Sequence, residues 1–380
     1  MNKLTNLPEY LTYDDVLLLP GYSDFSRDAI NLTTKLTKTI TLTVPFVSAP
    51  MDTVTESALA ITLAQLGGIG IIHRNLSIEN QVKEVKKVIE KKLLVGAAIG
   101  ASKGFEERAE HLIEAGVSVI CIDSAHGWAT SIIETTKWLK NHYPSVQILA
   151  GNIATYDGAQ ALIQAGADGL RVGMGPGAIC TTRIISGMGV PQLTAVAETA
   201  RAGQTAGVPV IADGGIKYSG DMVKALAAGA STVMMGRMFA SCIESPGEKV
   251  TLSPEHVPAR FKDILKDNKD RYVFKTYRGM GSIAAMEKGT QIKSEDEFHG
   301  KSYKDRVLVA EGVEGLVPVS GPVQDVVDQM LGGIKSGLYY LGCKTIEELQ
   351  QKAQFIKITQ ASLVESHPHD LVITNPGKNY

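Results

Sequence analysis

Residues 156–183 read YDGAQALIQAGADGLRVGMGPGAICTTR, and this stretch holds one full unit of the pattern that decides the fold. Apolar residues at helical spacing over Tyr156–Gln164 predict a helix, and the short apolar run Gly169–Val172 predicts a buried strand. Three glycines and one proline then fall within the five residues 173–177, which neither continue a strand nor start a helix. The unit is therefore a helix, a strand and an exposed glycine-rich loop.

The same unit recurs along the chain. The predicted strands are Val44–Ser48, Gly70–His73, Leu93–Ile99, Val117–Asp123, Val146–Ala150, Gly169–Val172, Val208–Ala212 and Ser231–Met235, with helical segments between them. Eight alternations of strand and helix predict an α/β fold of the (β/α)8 TIM barrel type. A doubly wound open sheet is the alternative. However, most units close with a small or polar cluster such as SAPMD, DSAHG or ADGG, and a barrel places all of these on one face, the predicted site.

Composition restricts the partners. The chain has 380 residues, with 38 Lys plus Arg against 40 Asp plus Glu, so bulk charge favours neither nucleic acid nor an acidic membrane surface. No apolar run approaches the roughly 18 residues of a membrane helix. The four cysteines show no CxxC spacing and follow no secretory segment, which predicts a soluble cytoplasmic protein in a reducing compartment.

A single catalytic barrel domain over residues 1–380 is the predicted organisation, because barrels of this size form one unit. The long charged stretch Glu244–Pro318 follows the eighth strand and contains the run YRGMGS at 277–282. A loop of this length beside a barrel face is either an active-site lid or disordered, and the YRGMGS run together with Glu311–Gly315 favours a lid. We expect this flap to span about residues 284–318.

Cys180 is the first candidate for chemistry. The glycine-rich turn before it offers backbone N–H groups to an anion and carbonyl oxygens to a cation. The hydroxyl groups of Thr181 and Thr182 follow directly. A lone cysteine is often a small buried apolar residue, and this structural interpretation stays open beside the nucleophilic one. The neighbouring hydroxyls and the glycine turn favour chemistry.

The chain resembles the IMP dehydrogenase/GMP reductase family over its whole length. The motifs that carry the resemblance are LTYDDVLL at 11–18, MDTVTE at 51–56, GGIGIIH at 67–73, DSAHG at 123–127, the Cys180 loop, ADGG at 212–215, YRGMGS at 277–282 and ESH at 365–367. The regulatory pair of CBS modules that the family usually inserts would fall near residues 87–93, and the sequence has no such insertion there.

The resemblance implies a purine nucleoside monophosphate, GMP or IMP, bound at the barrel mouth. Cys180 would attack C2 of the base to form a thioimidate while a hydride passes to or from a nicotinamide, either NADPH or NAD. A purine C2 is electrophilic, and a thiolate is nucleophilic enough near neutral pH to add to it. Thr182 and the flap residue Glu311 form a catalytic dyad that the resemblance implies for both reactions of the family.

The resemblance also implies the binding residues. Asp213 would hold the ribose, the phosphate would contact Gly215, Gly236, Arg237 and Tyr277, and the base would contact Met280 and Gly281. The dinucleotide would face Asp123, Ser124 and Asn152. A potassium ion would bind Gly175, Gly177 and Cys180 together with Glu365, Ser366 and His367 of a neighbouring subunit, which implies a homotetramer; an ordinary polar terminus is the alternative for the last three.

Two departures from the family pattern lie at the phosphate. Serines usual in the family are replaced here by Ala178 and Arg237. A guanidinium at position 237 could replace both hydroxyls with a stronger charge-assisted contact. An arginine that points to solvent is the alternative.

A third departure concerns the direction of the reaction. The dehydrogenases carry an Arg-Tyr pair on the flap that activates water, and the matching positions here are Glu297 and Phe298, with Tyr303 and Arg306 nearby. Because a reductase needs only Thr182 and Glu311, this contrast favours a GMP reductase that uses NADPH. The alternative is an IMP dehydrogenase that uses NAD and lacks CBS modules.

Two other classes of protein fit less well. A non-catalytic nucleotide-binding protein would keep the phosphate contacts and lose the nucleophile, and Cys180 argues against it. A phosphate-binding barrel aldolase or isomerase would need a Lys or Glu at a strand end, which these strands do not show.

Overall fold

A computed structural model describes residues 6–267, 269–292, 297–298, 301–302, 309–371 and 373. Its strands are β1 (Val16–Leu18), β2 (Thr34–Lys35), β3 (Thr41–Leu42), β4 (Phe46–Ser48), β5 (Ile69–Ile72), β6 (Val95–Ile99), β7 (Val119–Asp123), β8 (Gln147–Ile153), β9 (Gly169–Val172), β10 (Val210–Asp213), β11 (Thr232–Met235), β12 (Lys249–Leu252), β13 (Tyr272–Arg278), β14 (Glu297–Phe298), β15 (Lys301–Ser302), β16 (Glu314–Pro318) and β17 (Phe355–Lys357).

The α-helices alternate with these strands. They are α1 (Ser57–Gln65), α2 (Ile78–Ile89), α3 (Phe105–Glu114), α4 (Thr130–His142), α5 (Tyr156–Gln164), α6 (Thr182–Ile185), α7 (Gln192–Ala206), α8 (Ser219–Ala227), α9 (Arg237–Ala240), α10 (Ile283–Ile292), α11 (Val323–Leu341), α12 (Ile346–Lys352) and α13 (Gln360–Glu365). Within the described residues, none of them is long and apolar enough to cross a membrane.

Strands β4 to β11 form a closed parallel barrel in chain order, and β11 pairs with β4 to complete the ring. The predicted (β/α)8 fold is therefore confirmed, and all eight predicted strands are present. The open-sheet alternative is wrong because a doubly wound sheet would leave two edge strands. In a closed parallel barrel the loops after the strands share one face, which is where the clusters of small and polar residues lie.

The barrel interior is packed with side chains. A buried cluster includes Val47, Ile71, Leu149, Ile211 and Met234, each 0% exposed, and burying one such side chain contributes roughly 1.5–3 kcal/mol. The β2–β3 hairpin covers the amino-terminal end of the barrel, since Leu36 and Leu42 belong to this same cluster. This end is closed, so the opposite end is the one available to a ligand.

The eighth helical position is filled by a distant segment. Helix α9, which follows β11, has only four residues. The chain then forms a three-stranded antiparallel sheet of β12, β13 and β16 before α11 packs beside α8 and α1 on the outside of the barrel. The stretch that sequence analysis assigned to a lid thus contains a folded sheet, and β13 carries the YRGMGS run to the barrel mouth.

Candidate active site

A pocket opens at the carboxyl ends of the barrel strands and gathers nearly all the predicted site residues. The predicted residues that line it are Asp123, Ser124, Asn152, Gly175, Gly177, Cys180, Thr182, Asp213, Gly215, Gly236, Arg237, Tyr277, Met280, Gly281 and Glu311. They come from the carboxyl ends of β7, β8 and β10, from the segments that follow β7, β9, β10 and β11, and from the segments around β13 and β16. The predicted catalytic, nucleotide and dinucleotide residues therefore share one cavity.

Cys180, Thr182 and Glu311 form a connected row. The Cys180 thiol donates to the Thr182 Oγ1 atom at 3.2 Å, and the Thr182 hydroxyl donates to the Glu311 Oε2 atom at 3.0 Å. All three side chains are half-buried. The row provides a path for one proton between the sulfur and the carboxylate.

Backbone hydrogen bonds bring the Glu311 segment to the cysteine loop. The Thr181 N–H donates to the Glu311 carbonyl at 3.0 Å, and the Val313 N–H donates to the Ile179 carbonyl at 2.9 Å. These bonds join residues about 130 positions apart in the sequence. The Glu311 side chain is therefore held on a short antiparallel pairing with the loop that carries the nucleophile.

The YRGMGS turn packs on the other side of the Glu311 segment. The Gly279 N–H donates to the Val313 carbonyl at 3.0 Å, and the Glu311 N–H donates to the Gly281 carbonyl at 3.0 Å. A Cβ atom at Gly312 would lie 3.3 Å from the Gly279 Cα atom, so the close approach of these two segments favours glycine. Three segments that are distant in sequence are thus layered at one point.

The other three cysteines of the chain are buried. Burial raises the pKa of the Cys121 thiol to about 12, with the charges of Arg171, Asp123 and Asp213 as smaller influences. Burial likewise raises the pKa of the Cys242 thiol to about 12. Both thiols are therefore protonated and shielded, whereas Cys180 is half-buried at the pocket wall.

The predicted phosphate residues lie at one end of the pocket. Gly214 and Gly215 have φ angles of 90° and 78°, which favour glycine, and a Cβ atom added at either would lie 3.1 or 3.3 Å from the Pro176 ring. A Cβ atom at Gly236 would lie 2.6 Å from the Tyr277 hydroxyl, so these two residues are in contact. This places backbone N–H groups and a phenol around the same space.

Charge and burial favour anion binding there. Burial raises the pKa of Tyr277 and the charge of Asp213 raises it further, while Arg237 opposes them. Tyr277 therefore keeps its proton and can donate a hydrogen bond. Arg237 is exposed at the start of α9 and lines the pocket, so its position allows either contact with a ligand or an orientation toward solvent.

Asp213 ends β10 and is held by two partners that bind the same oxygen. Arg171 Nε and Asn152 Nδ2 each lie 2.8 Å from the Asp213 Oδ2 atom. The register of β8 against β9 shifts between Gly151 and Ile153, so Asn152 occupies a bulge, and bulges turn side chains toward sites. The strand thus extends beyond its predicted end at Ala150, and the amide of Asn152, a predicted dinucleotide residue, contacts the predicted ribose carboxylate.

Arg171 is a site residue that the sequence motifs do not mark. Its guanidinium joins Asp213 to Asp123, with 2.5 Å between Arg171 Nη1 and Asp123 Oδ1, and the residue is 7% exposed. Burial would lower the pKa of Arg171, but the two carboxylates raise it above its ordinary value, so the guanidinium stays charged. An arginine inside a four-residue apolar strand was the available signal, because a buried charge requires partners.

A second ion pair, Asp52–Arg278, was also not identified. Arg278 Nε lies 3.0 Å from Asp52 Oδ1, and Asn75 Nδ2 lies 2.8 Å from Asp52 Oδ2. Burial would raise the pKa of Asp52, but the hydrogen bond from Arg278 and the charges of His73 and Arg278 hold it below its ordinary value. The carboxylate is therefore ionised. Asp52 and Arg278 both lie inside motifs of the family resemblance, but their contact is not visible in either motif.

The predicted potassium ligands fall into two groups. Gly175, Gly177 and Cys180 line the pocket, and the Gly177 carbonyl accepts the Cys180 N–H at 3.1 Å. Glu365, Ser366 and His367 lie at the end of α13, and the His367 ring is 6.0 Å from the Tyr218 ring. Among the described residues these last three do not line the pocket of their own chain.

The side chains of Glu297 and Phe298, on which the predicted direction of the reaction depends, lie outside the described residues, and so do Tyr303 and Arg306. The backbone of Glu297 and Phe298 forms β14, which pairs with β15.

The structure has the architecture of a TIM-barrel enzyme. Its closed (β/α)8 barrel holds a cysteine, a hydroxyl and a carboxylate in a row at the carboxyl ends of the strands. A family model described as "IMP dehydrogenase / GMP reductase domain" matches residues 10–369. The chain belongs to this family, and it is an oxidoreductase of purine nucleotides that uses a nicotinamide cofactor.

Curated relatives match over nearly their whole length. An inosine-5'-monophosphate dehydrogenase of Borreliella burgdorferi is 42% identical over 420 aligned residues, which cover 97% of this chain and 98% of the relative. Proteins of the same name from Cryptosporidium parvum and Halalkalibacterium halodurans are 41% and 37% identical, with 99% and 98% of this chain and 98% of each relative covered.

Proposed function

We propose that the protein is an IMP dehydrogenase, which converts IMP, NAD⁺ and water into XMP and NADH. The observation that carries this proposal is the set of relatives, each named inosine-5'-monophosphate dehydrogenase, that align with almost the whole chain at 37–42% identity. These names favour the dehydrogenase alternative over the GMP reductase that sequence analysis preferred. The geometry of the pocket supplies the parts that the reaction requires.

The nucleotide lies along the pocket from Tyr277 to Cys180. Its phosphate accepts hydrogen bonds from the backbone of Gly215, Gly236 and Arg237 and from the Tyr277 hydroxyl, and the Arg237 guanidinium compensates for the missing serines. The free Oδ1 side of Asp213 accepts from the ribose hydroxyls, since its Oδ2 atom is already bound to Arg171 and Asn152. Met280 and Gly281 contact the base.

The covalent step takes place at Cys180. Its thiolate adds to C2 of IMP and forms the C–S bond of a thioimidate as C2 loses its hydride. The thiol loses its proton to the solvent before attack, and the Thr182 Oγ1 atom, 3.2 Å from the sulfur, holds the side chain in place. The half-buried position of the sulfur leaves one side open to the base.

Hydrolysis then uses the same row of residues. Water adds to C2 of the thioimidate, one of its protons passes through Thr182 to Glu311 and the other goes to N3 of the base, and the C2–S bond breaks to release XMP and the thiolate. The Thr182–Glu311 contact of 3.0 Å is within the range for such proton transfer. The dyad thereby replaces the flap Arg-Tyr pair that the sequence lacks at Glu297 and Phe298.

The cofactor fits the other end of the same pocket. NAD⁺, when bound, supplies the hydride acceptor at C2. Asp123, Ser124 and Asn152 line the cavity that also contains Cys180, so a second ligand can lie beside the nucleotide. Arg171 holds the Asp123 carboxylate, and the Ser124 side chain is half-buried. The carboxylate of Asp123 and the hydroxyl of Ser124 can each bind the ribose or the amide of the nicotinamide.

A potassium ion, a homotetramer, a cytoplasmic location and a single domain with a flap stay predictions from the sequence. Backbone carbonyl oxygens suit an alkali cation, but Gly177 already accepts one hydrogen bond, and Glu365–His367 would have to come from another subunit. Comparing turnover in potassium and in lithium salts of equal ionic strength, together with the molar mass in solution, tests the first two.

GMP reductase is the second candidate. The absence of an Arg-Tyr pair at Glu297 and Phe298 favours this candidate. The Thr182–Glu311 dyad is sufficient to protonate the amino group on C2 of GMP, which leaves as ammonia before NADPH delivers its hydride.

Isotope labelling tests the dehydrogenase proposal at its hydrolytic step. With IMP and NAD⁺ in water enriched in oxygen-18, we expect XMP that carries one heavy oxygen, in amounts well beyond one equivalent of enzyme. The Cys180→Ala variant should make none. The proposal would be refuted by XMP that lacks the label, or by the absence of XMP after a time sufficient for many turnovers.

A further inference from the structure

A buried polar cluster lies behind the wall of the pocket and is used by none of the steps above. It consists of Asp52, in the loop between β4 and α1, Asn75, in the loop after β5, and Arg278, the last residue of β13. Asp52 is 6% exposed and Asn75 is 0% exposed. The cluster therefore joins two barrel loops to the strand that carries Tyr277.

The Asp52–Arg278 pair is a two-bond fork. Arg278 Nε donates to Asp52 Oδ1 at 3.0 Å, and Arg278 Nη2 donates to Asp52 Oδ2. A bidentate pair fixes the orientation of both groups as well as their distance. Because Arg278 directly follows Tyr277, the fork fixes the end of β13 where the phenol enters the pocket.

Asn75 extends this contact to the far side of the YRGMGS turn. Its Nδ2 atom donates to Asp52 Oδ2 at 2.8 Å and to the Ala285 carbonyl at 3.2 Å. Ala285 lies in the first turn of α10. One amide group therefore ties Asp52 to the helix that follows the turn, so residues 279–282 are held at both ends.

Asp52 also contacts a residue inside the turn. Its backbone N–H donates to the Met280 Sδ atom at 3.4 Å. Met280 is 7% exposed, packs with Met286 and Met51, and lines the pocket. The side chain proposed to contact the base is thus fixed from behind by the same residue that binds Arg278.

Stability alone does not explain the choice of Asn75. Its Oδ1 atom is buried without a hydrogen-bond partner, which is unfavourable. A leucine of similar volume would remove that unsatisfied atom, although it would also leave Asp52 and the Ala285 carbonyl with one hydrogen bond fewer each. What a leucine cannot do is donate to both Asp52 and Ala285.

We propose that Asp52 and Asn75 are positioning residues for nucleotide binding. They hold the segment 277–285 so that Tyr277 meets the phosphate and Met280 meets the base. This inference rests on the proposed function, since it assumes that those two residues touch the nucleotide. Loss of either positioning residue weakens nucleotide binding while the barrel stays folded.

The test uses the full chain with Asn75→Leu as the main variant. We expect the dissociation constant for IMP, measured by calorimetry without cofactor, to rise about tenfold or more, because small displacements of positioning groups have effects of this order. The variant should stay folded, with a thermal midpoint lowered by only a few degrees, because it loses two hydrogen bonds and also one unsatisfied buried oxygen. Hydrogen exchange should quicken at residues 279–286 and not in β6 or β7.

Thr136→Val is the matched control, since Thr136 is 0% exposed and its hydroxyl donates within α4 to the Ile132 carbonyl. It should leave IMP affinity unchanged. If Asn75→Leu does not fold, Arg278→Lys provides a second test, because it keeps the charge and loses the fork; it should also weaken binding. Unchanged IMP affinity in the folded variant would overturn the proposal. Failure of the unmodified protein to bind IMP or GMP would instead refute the proposed function.

Discussion

The Nε atom of Arg171 lies 2.8 Å from the Oδ2 atom of Asp213. Since the same guanidinium also binds Asp123, one buried cation separates two carboxylates that would otherwise repel each other. The predicted ribose end and the predicted dinucleotide end of the pocket therefore share the Arg171 guanidinium as a common ion-pair partner.

Replacing Arg171 should remove this support. Arg171→Met leaves Asp123 and Asp213 without their common cation, and removal of one partner from a buried ion pair costs about 3–5 kcal/mol. We expect urea unfolding to show a loss of this size and NAD⁺-dependent turnover to fall sharply. Arg171→Lys, which keeps the charge, should recover part of the stability. Unfolding energies of Arg171→Met that match those of the unmodified protein would contradict the assigned network.

The Thr182–Glu311 dyad should act after the hydride has left. Glu311→Gln removes the proton acceptor, and a general base is typically worth about 10²–10⁴ in rate. We expect a rapid burst of NADH equal to the enzyme concentration, followed by steady-state turnover reduced by that factor. Glu314→Gln is the control, because Glu314 is exposed and lies on the same strand segment. A variant that loses the burst and the steady state equally would show that Glu311 acts before hydrolysis.

Thiol reactivity should single out Cys180. Thiol reagents attack the thiolate, and the raised pKa of Cys121 and of Cys242, about 12 in each, keeps these thiols protonated at pH values where a free cysteine reacts. Below the ordinary pKa of cysteine, native protein should therefore bind one equivalent of reagent, and the protein in denaturant four. Cys180→Ala should bind none when native, and IMP should protect Cys180. More than one reactive thiol in the native protein would contradict the burial described.

Asp52 should link stability to pH. Its pKa is lowered in the folded protein, so its contribution to stability is fully present above the ordinary value near 3.8 and is lost as pH falls through the lower folded value. Asp52→Asn should reduce the free energy of unfolding by about 1.5–3 kcal/mol at neutral pH, the range for hydrogen bonds to charged groups. Urea titrations at decreasing pH should show this difference shrink below about pH 4. A constant difference would argue against an ionised, paired Asp52.

The barrel could be predicted because its signals are local. Gly169–Val172 and Tyr156–Gln164 have the bounds expected from their apolar periodicity, since each element needs only its own residues and its neighbours to define it. The predicted bounds of β8 are the least accurate, because the strand continues beyond Ala150 to Ile153. A bulge at Asn152 shifts its pairing with β9, and no pattern in the sequence predicts such a shift.

The contacts within the site could not be predicted in the same way. Arg278 and Asp52 are 226 residues apart, and their pairing follows from how β13 returns to the barrel mouth after a long excursion. The positions of Cys180, Asp213 and Tyr277 were available from the family motifs, but Arg171, Asn75 and Asp52 act through other side chains, and no local pattern records such partners.

The direction of the reaction is the central claim, and one comparison tests it most directly. Purified protein in potassium buffer is followed by the absorbance of reduced nicotinamide, with IMP plus NAD⁺ in one cell and GMP plus NADPH in another. We predict a sustained rise in the first cell, with XMP accumulating over many turnovers, and no change in the second. Oxidation of NADPH that depends on GMP, with no XMP formed from IMP, would contradict the proposed dehydrogenase and identify the protein as a GMP reductase.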